Sequence, residues 1–256
     1  MKRIALITGA TSGIGKATAE AFANAEIDLI LCGRRLEVLD ELKAYFLEKV
    51  AERRPNVTTL AFDVRNAEDV AKAIESLPEK WKNIDILVNN AGNAHGLEPI
   101  QDGNIADWDA MIDGNVKGLL YVSKAVMPIM VAREKGHIVN LSSVAGKYTY
   151  PNGAVYCASK SAVEAISEGM RHDLTKYGIK ITNIAPGAVE TDFSLVRFKG
   201  DVERAKKVYE GFDPIQPEDV ADAILYAINT PDRVTIADII LYAKAQSAPT
   251  MIHRKQ

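Results

Sequence analysis

Two cysteines in 256 residues exclude a disulfide framework. Cys32 falls in an apolar run and Cys157 in a helical pattern, so both are expected to be reduced and to pack as small apolar groups. Cys157 has no general-base partner around it, which argues against a nucleophilic thiol. No stretch approaches the roughly 20 apolar residues that cross a bilayer, and the apolar start at Ile4 stops at Ile7, too short for a signal-peptide core. The protein is therefore expected to stay where it is made, in the cytoplasm. There is no linker rich in Pro, Ser or Gly, no internal repeat and no charge block, so residues 1–256 are expected to form a single domain. His95, His137, His172 and His253 show no metal-ligand spacing, so no metal is expected. A net charge of -3 gives no reason to expect nucleic acid or an anionic membrane as partner.

What is present is an ordinary globular balance, 47% hydrophobic and 25% charged. Short apolar runs at 4–7, 29–32, 57–62, 84–88, 137–141, 180–184 and 236–241 read as buried strands. Helical patterns at 14–24, 35–52, 67–76, 107–133, 155–177 and 217–229 lie between most of them. That alternation implies parallel strands joined by crossover helices. Strands apolar on both faces need a layer on each side, so the expected fold is α/β, a Rossmann-like doubly wound parallel sheet with helices on both faces. Pro217 suits a first helical position, and Pro128 is expected to kink or interrupt the helix at 107–133. The segments 9–15, 89–92, 142–143 and 186–187 each follow a strand, which gathers them at the carboxyl edge of the sheet, where ligands of such sheets bind.

Two of these features carry chemistry. The first strand runs into Thr8-Gly9-Ala10-Thr11-Ser12-Gly13-Ile14-Gly15 and then a helix. Glycines let a ligand approach the backbone, and the free amides of a helix N-terminus attract a pyrophosphate. The spacing is neither the usual G-x-G-x-x-G nor a P-loop. Farther on, Tyr156-Cys157-Ala158-Ser159-Lys160 sets a phenol and an ammonium on one helical face. A phenol titrates near ~10, and a neighbouring cation favours its ionised form, so the pair is expected to give and take a proton.

With Asn89-Asn90-Ala91-Gly92, Asn115 in Asn115-Val116-Lys117-Gly118, Ser143 and Pro186-Gly187, these motifs stand in an order that resembles the classical short-chain dehydrogenase/reductase family over nearly the whole chain. The resemblance implies an oxidoreductase in which Ser143 polarises a carbonyl, Tyr156 is the acid or base, and Lys160 lowers the phenol's pKa and binds the nicotinamide ribose. Ser142 is the decoy beside Ser143. Asn115 is implied to hold a water in a proton relay from Lys160; as a buried polar residue it would equally satisfy backbone groups. Asn90 and Gly92 are implied to support the cofactor, Asp63 and Val64 to touch adenine, and Pro186, Gly187, Val189 and Thr191 to hold the carboxamide. A solvent-facing aspartate is the alternative for Asp63.

Cofactor choice is read after the second strand, where an acid selects NAD and an arginine NADP. Here Gly33 is followed by Arg34 and Arg35, so NADP is expected, although some NADP-dependent relatives also carry a basic residue where this chain has Ser12. The segment from Phe193 to Pro214 looks like the substrate lid, around 190–214, of NADP-dependent 3-hydroxy acid dehydrogenases, which act on serine, allo-threonine and 3-hydroxypropionate or malonic semialdehyde. An anionic substrate needs a cation, and Arg197 or Lys199 would supply one; a solvated charge is the alternative for each. The rival readings are a 3-oxoacyl thioester or small-carbonyl reductase and a non-catalytic NADP-binding sensor. The family resemblance further implies a homotetramer with the helices around 107–133 and 155–177 at an interface.

Overall fold

Every residue of the first apolar run is buried, so both faces of that strand must be covered. In the computed structural model, which describes residues 2–49 and 55–255, β1 (Ile4–Thr8) meets this by alternation. Ala5 and Ile7 face one apolar layer, Ile4 and Leu6 the other. The later runs become β2 (Asp28–Gly33), β3 (Val57–Ala61), β4 (Ile86–Asn89), β5 (Gly136–Leu141), β6 (Ile179–Pro186) and β7 (Asp238–Leu241). All pair in parallel in the order β3-β2-β1-β4-β5-β6-β7, with the chain reversing direction across the sheet between β3 and β4. That reversal opens a crevice between the carboxyl ends of β1 and β4.

The helices are α1 (Gly13–Asn24), α2 (Leu36–Lys49), α3 (Ala67–Glu75), α4 (Ile105–Ile112), α5 (Gly118–Ala132), α6 (Val144–Lys147), α7 (Ala154–Leu174), α8 (Phe193–Arg197), α9 (Val202–Lys207) and α10 (Pro217–Ile228). Phe22 of α1, Leu39 and Phe46 of α2, and Ile224 of α10 cover the Ala5–Ile7 face. Val70 of α3, Val122 and Met130 of α5, and Met170 of α7 cover the Ile4–Leu6 face. Burying such a side chain stabilises the fold by about 1.5–3 kcal/mol each. Pro217 begins α10 as expected, and the Asp219 carboxylate accepts from the Gln216 amide at 2.8 Å.

One expectation needs revision; the far end of the helix expected at 35–52 lies outside the described residues. Pro128 does not interrupt its helix: α4, a π-helical turn at Asp113–Lys117 and α5 run on without a break. Pro128 and Lys124, whose carbonyl loses its helical partner, both lie on the exposed face of the helix. The irregularity sits at Asn115 instead, consistent with π turns marking functional positions. A hairpin of β8 (Gln246–Ala248) and β9 (Met251–Ile252) had no sequence signal and follows the sheet.

Candidate active site

The turn after β1 is fixed by steric necessity. Gly9 and Gly13 hold φ of 65° and 52°, which favour glycine. A methyl group on Gly15 would stand 2.2 Å from the Gly9 carbonyl oxygen. Asn90 braces the turn, its Nδ2 donating to the carbonyls of Thr8 (2.9 Å) and Gly9 (3.1 Å). Thr8 Oγ1 in return accepts the amides of Asn90 and Ala91, each at 3.0 Å. Ser12 precedes α1 without capping it through its side chain, which leaves the first amides for an anion.

Gly9, Ser12, Gly13, Asn90 and Ala91 line one cleft of about 1010 Å³ along the carboxyl edge of the sheet. Of the positions expected to meet a cofactor, Gly9, Thr11, Ser12, Gly13, Ile14, Arg34, Arg35, Asp63, Val64, Asn90, Gly92, Pro186, Gly187, Val189 and Thr191 line it. Gly15 stands behind the turn, and Thr191 reaches across to Gly13. Beyond β2 no carboxylate follows Gly33; Arg34 and Arg35 are exposed, and Arg35 donates to Thr11 Oγ1 at 3.3 Å. Asp63 is bound by Arg65, whose Nη2 lies 2.6 Å from Oδ2, and that bond holds the carboxyl below its usual range. Arg65 also lines the cleft and adds a third cation that carried no sequence signal. The amide cradle and this arginine group fit a dinucleotide carrying an extra phosphate.

Ser143 follows β5 and caps α6, its Oγ accepting from the Ala145 amide (3.1 Å) and donating to the Pro186 carbonyl (3.3 Å). It also faces the Tyr156 phenol and acts to lower that phenol's pKa. Ser142 is committed elsewhere, donating to the Lys160 carbonyl at 3.2 Å. Tyr156 and Lys160 sit near the start of α7, both buried. Lys160 Nζ donates to the Leu141 carbonyl at 2.8 Å and lies 6.0 Å from the centre of the Tyr156 ring. Burial pushes the ammonium down to about 8, with Glu164 one turn along α7 opposing the shift.

The expectation that Lys160 draws the phenol's pKa down is not met. Burial drives the Tyr156 phenol up, as does neighbouring Tyr150, while the Ser143 hydroxyl and the Arg197 charge act against them. Lys160 turns its charge to Leu141 instead.

Asn115 ties two parts of the site together. Its Oδ1 accepts from the Asn93 amide (2.7 Å), and its Nδ2 donates to the Asn93 carbonyl (2.8 Å) and to Ser159 Oγ (3.0 Å). A side chain on Gly92 would meet Asn115 Oδ1 at 2.8 Å and Lys160 Nζ at 3.5 Å, so all three crowd one spot.

Above Tyr156 lies the segment carrying α8. Phe193 tilts against the Tyr156 ring at 5.6 Å between centres. Arg197 reaches into the cleft, Nε donating to the Gly96 carbonyl (3.1 Å) and Nη2 to Tyr150 Oη (3.0 Å). Lys199 points away and pairs with Asp107 at 2.8 Å. Tyr150 and Gln246 belong to the site without any sequence signal. Gln246 Oε1 accepts the Ala188 amide at 2.9 Å and fixes the strand end beside Gly187. Cys32 and Cys157 are free and buried, their thiols pushed up by burial. His137 is buried against Thr182 at 2.8 Å and pushed down to about 4 by burial. Among the described residues no cluster of His, Cys, Asp or Glu is arranged to hold a metal ion, and no helix is long and apolar enough to cross a membrane.

The family model for short chain dehydrogenases matches residues 3–200. The chain belongs to the short chain dehydrogenase family. Within that family it is 43% identical, over 98% of its length and 99% of the relative's, to an NADP-dependent 3-hydroxy acid dehydrogenase of Salmonella typhi. It is 44% identical, over 92% of each chain, to sulfoacetaldehyde reductase 2 of Chromohalobacter salexigens. Among solved short chain dehydrogenases, the closed form of a serine dehydrogenase complexed with NADP+ superposes with a TM-score of 0.91 at 41% identity, covering 99% of this chain and 100% of the other.

Proposed function

We propose that the protein is an NADP-dependent dehydrogenase that moves a hydride between its nicotinamide cofactor and short 3-hydroxy acids of the serine, allo-threonine or 3-hydroxypropionate type. The observation that carries the substrate class is Arg197, a guanidinium held over the catalytic phenol inside the cleft. Two relatives support it through one shared chemistry, since a carboxylate and a sulfonate are both anions that a guanidinium takes by charge-assisted hydrogen bonds. NADP is supported by Arg34 and Arg35 where an NAD enzyme would present an acid, with Arg65 also on the cleft wall.

Bound NADP(H) supplies or accepts the hydride. In reduction, Ser143 turns its hydroxyl from Pro186 to the substrate carbonyl, and Tyr156 delivers the proton to that oxygen. Lys160 holds the nicotinamide ribose, and a proton passes to Tyr156 along a relay that Lys160 and Asn115 anchor. Residues 186–191 hold the carboxamide, and 190–214 form a lid that brings Arg197 to the substrate's anionic end. We further read the protein as a cytoplasmic homotetramer; exposed Ile105 and Leu120 on the α4–α5 run support an interface there.

Replacing Arg197 by Met tests the reading. Losing one partner of a largely desolvated ion pair costs about 2–5 kcal/mol. kcat/KM for a 3-hydroxy acid is expected to fall about thirtyfold or more, and that for its neutral alcohol analogue far less, at a pH where Tyr156 ionisation does not limit turnover. An equal fall for both compounds removes Arg197 as the anchor.

A further inference from the structure

The Arg197 guanidinium is set where a cation acts on the reacting phenol as well as on a substrate. Its carbon lies 5.5 Å from the centre of the Tyr156 ring. Besides the side-chain bonds to Gly96 and Tyr150, the Gly96 amide donates to the Arg197 carbonyl at 3.0 Å, which fixes the residue's main chain. The anchoring Tyr150 is itself confined: a Cβ on Gly153 would stand 2.2 Å from its ring, so glycine packs flat against it.

Other titratable groups also surround Tyr156. From its own helix come Cys157, whose thiol is pushed up by burial, and Lys160, a second cation 6.0 Å from the ring centre that donates to the Leu141 carbonyl. Ser143 faces it from α6 and Tyr150 from the loop after α6, neither carrying charge. His95, Glu98 and Asp107 line a small void that Tyr156 and Arg197 also border. Burial holds His95 below its usual range, so it is neutral at neutral pH. Asp107 is matched by Lys199, and Glu98 accepts the Leu97 amide at 2.8 Å. Arginine never deprotonates in this range.

We propose that Arg197 is a positioning residue for proton transfer, its charge stabilising the ionised Tyr156 phenol and being partly cancelled when an anionic substrate docks on it. This rests on reading Tyr156 as the acid–base group. The opposition between burial and the Arg197 charge at this phenol supports it. In oxidation the ionised phenol is the base, so activity rises with pH through its pKa. Removing the cation raises that pKa and moves the acid limb to higher pH.

The test is the pH dependence of kcat/KM for oxidation of a neutral secondary alcohol with NADP, in the wild type, Arg197→Gln and Arg197→Lys. The Gln variant's acid limb is expected to move up by about half to one pH unit, as a charge at this range in a partly solvated site would give. The Lys variant, which keeps a charge, is expected to move less than half as far. Coincident limbs in all three, or equal displacement for Gln and Lys, overturn the proposal. Should Arg197→Gln not fold, the wild type supplies the test through the pH dependence of kcat, which reports the substrate-bound enzyme: its limb for a 3-hydroxy acid is expected above that for the neutral alcohol, and coincidence overturns it. The neutral alcohol has no anion to recognise, so failure of the carboxylate reading shows separately, as equal losses for acid and alcohol in Arg197→Met.

Discussion

The two walls of the cleft are built differently. On the β1–β4 side glycine packs on main chain and one side-chain amide braces the turn: Gly15 stands against the Gly9 carbonyl, Asn90 Nδ2 donates to the carbonyls of Thr8 and Gly9, and Gly13 and Gly9 hold positive φ. On the opposite side, residues 190–214 are held across the cleft mostly by side chains, Arg197 on Gly96 and Tyr150 and Lys199 on Asp107, with one main-chain bond from the Gly96 amide to the Arg197 carbonyl. Tyr209 ties that segment to its own base, donating to the Val189 carbonyl at 2.9 Å. It leaves α8 through Lys199 and Gly200, at φ of 53° and 93°. In the first wall a Cβ on Gly15 has no room beside the Gly9 carbonyl. The second is joined by contacts that can be made and broken one at a time, which suits a part that admits substrate and then closes.

Gly15→Ala should have the largest effect on this contrast. Its Cβ cannot coexist with the Gly9 carbonyl, so the turn must open. NADP binding, followed by calorimetric titration of a variant whose circular dichroism remains native, is expected to weaken about a hundredfold or more. Binding within about threefold of wild type would mean that the first wall is as adaptable as the 190–214 segment.

The difference between the walls is also a difference in legibility. Apolar runs flanked by glycine announce strands and a phosphate cradle, because the pattern and the constraint are local. Tyr156 and Lys160 were readable for the same reason, four residues apart on one helix face. Arg197 was named as a charge, but its hold on Tyr150 and Gly96 spans 47 and 101 positions and leaves no periodic trace. Gln246 braces Ala188 from 58 positions away and was equally silent. The π turn at Asn115 was missed because proline is the audible helix breaker, while Pro128 sits harmlessly on an exposed face. The direction of the Tyr156 shift went wrong because spacing gives the neighbour's charge but not how deeply both groups are buried.

At the other end of the scale, Lys199→Met is expected to do little. The Lys199 side chain is 58% exposed, and exposed ion pairs contribute weakly. KM for a 3-hydroxy acid is expected to rise by less than about fivefold, with kcat nearly unchanged. A larger loss confined to KM would make this pair part of the closing mechanism rather than an accessory to it.

The most direct measurement is a substrate panel with the wild-type enzyme, following the NADPH absorption band with short 3-hydroxy acids, their neutral alcohol analogues and each nicotinamide cofactor in turn. The account predicts the highest kcat/KM for a 3-hydroxy acid with NADP, with NAD and the neutral alcohols each well behind. Equal or better turnover of the neutral alcohols would contradict it and leave a general small-carbonyl reductase.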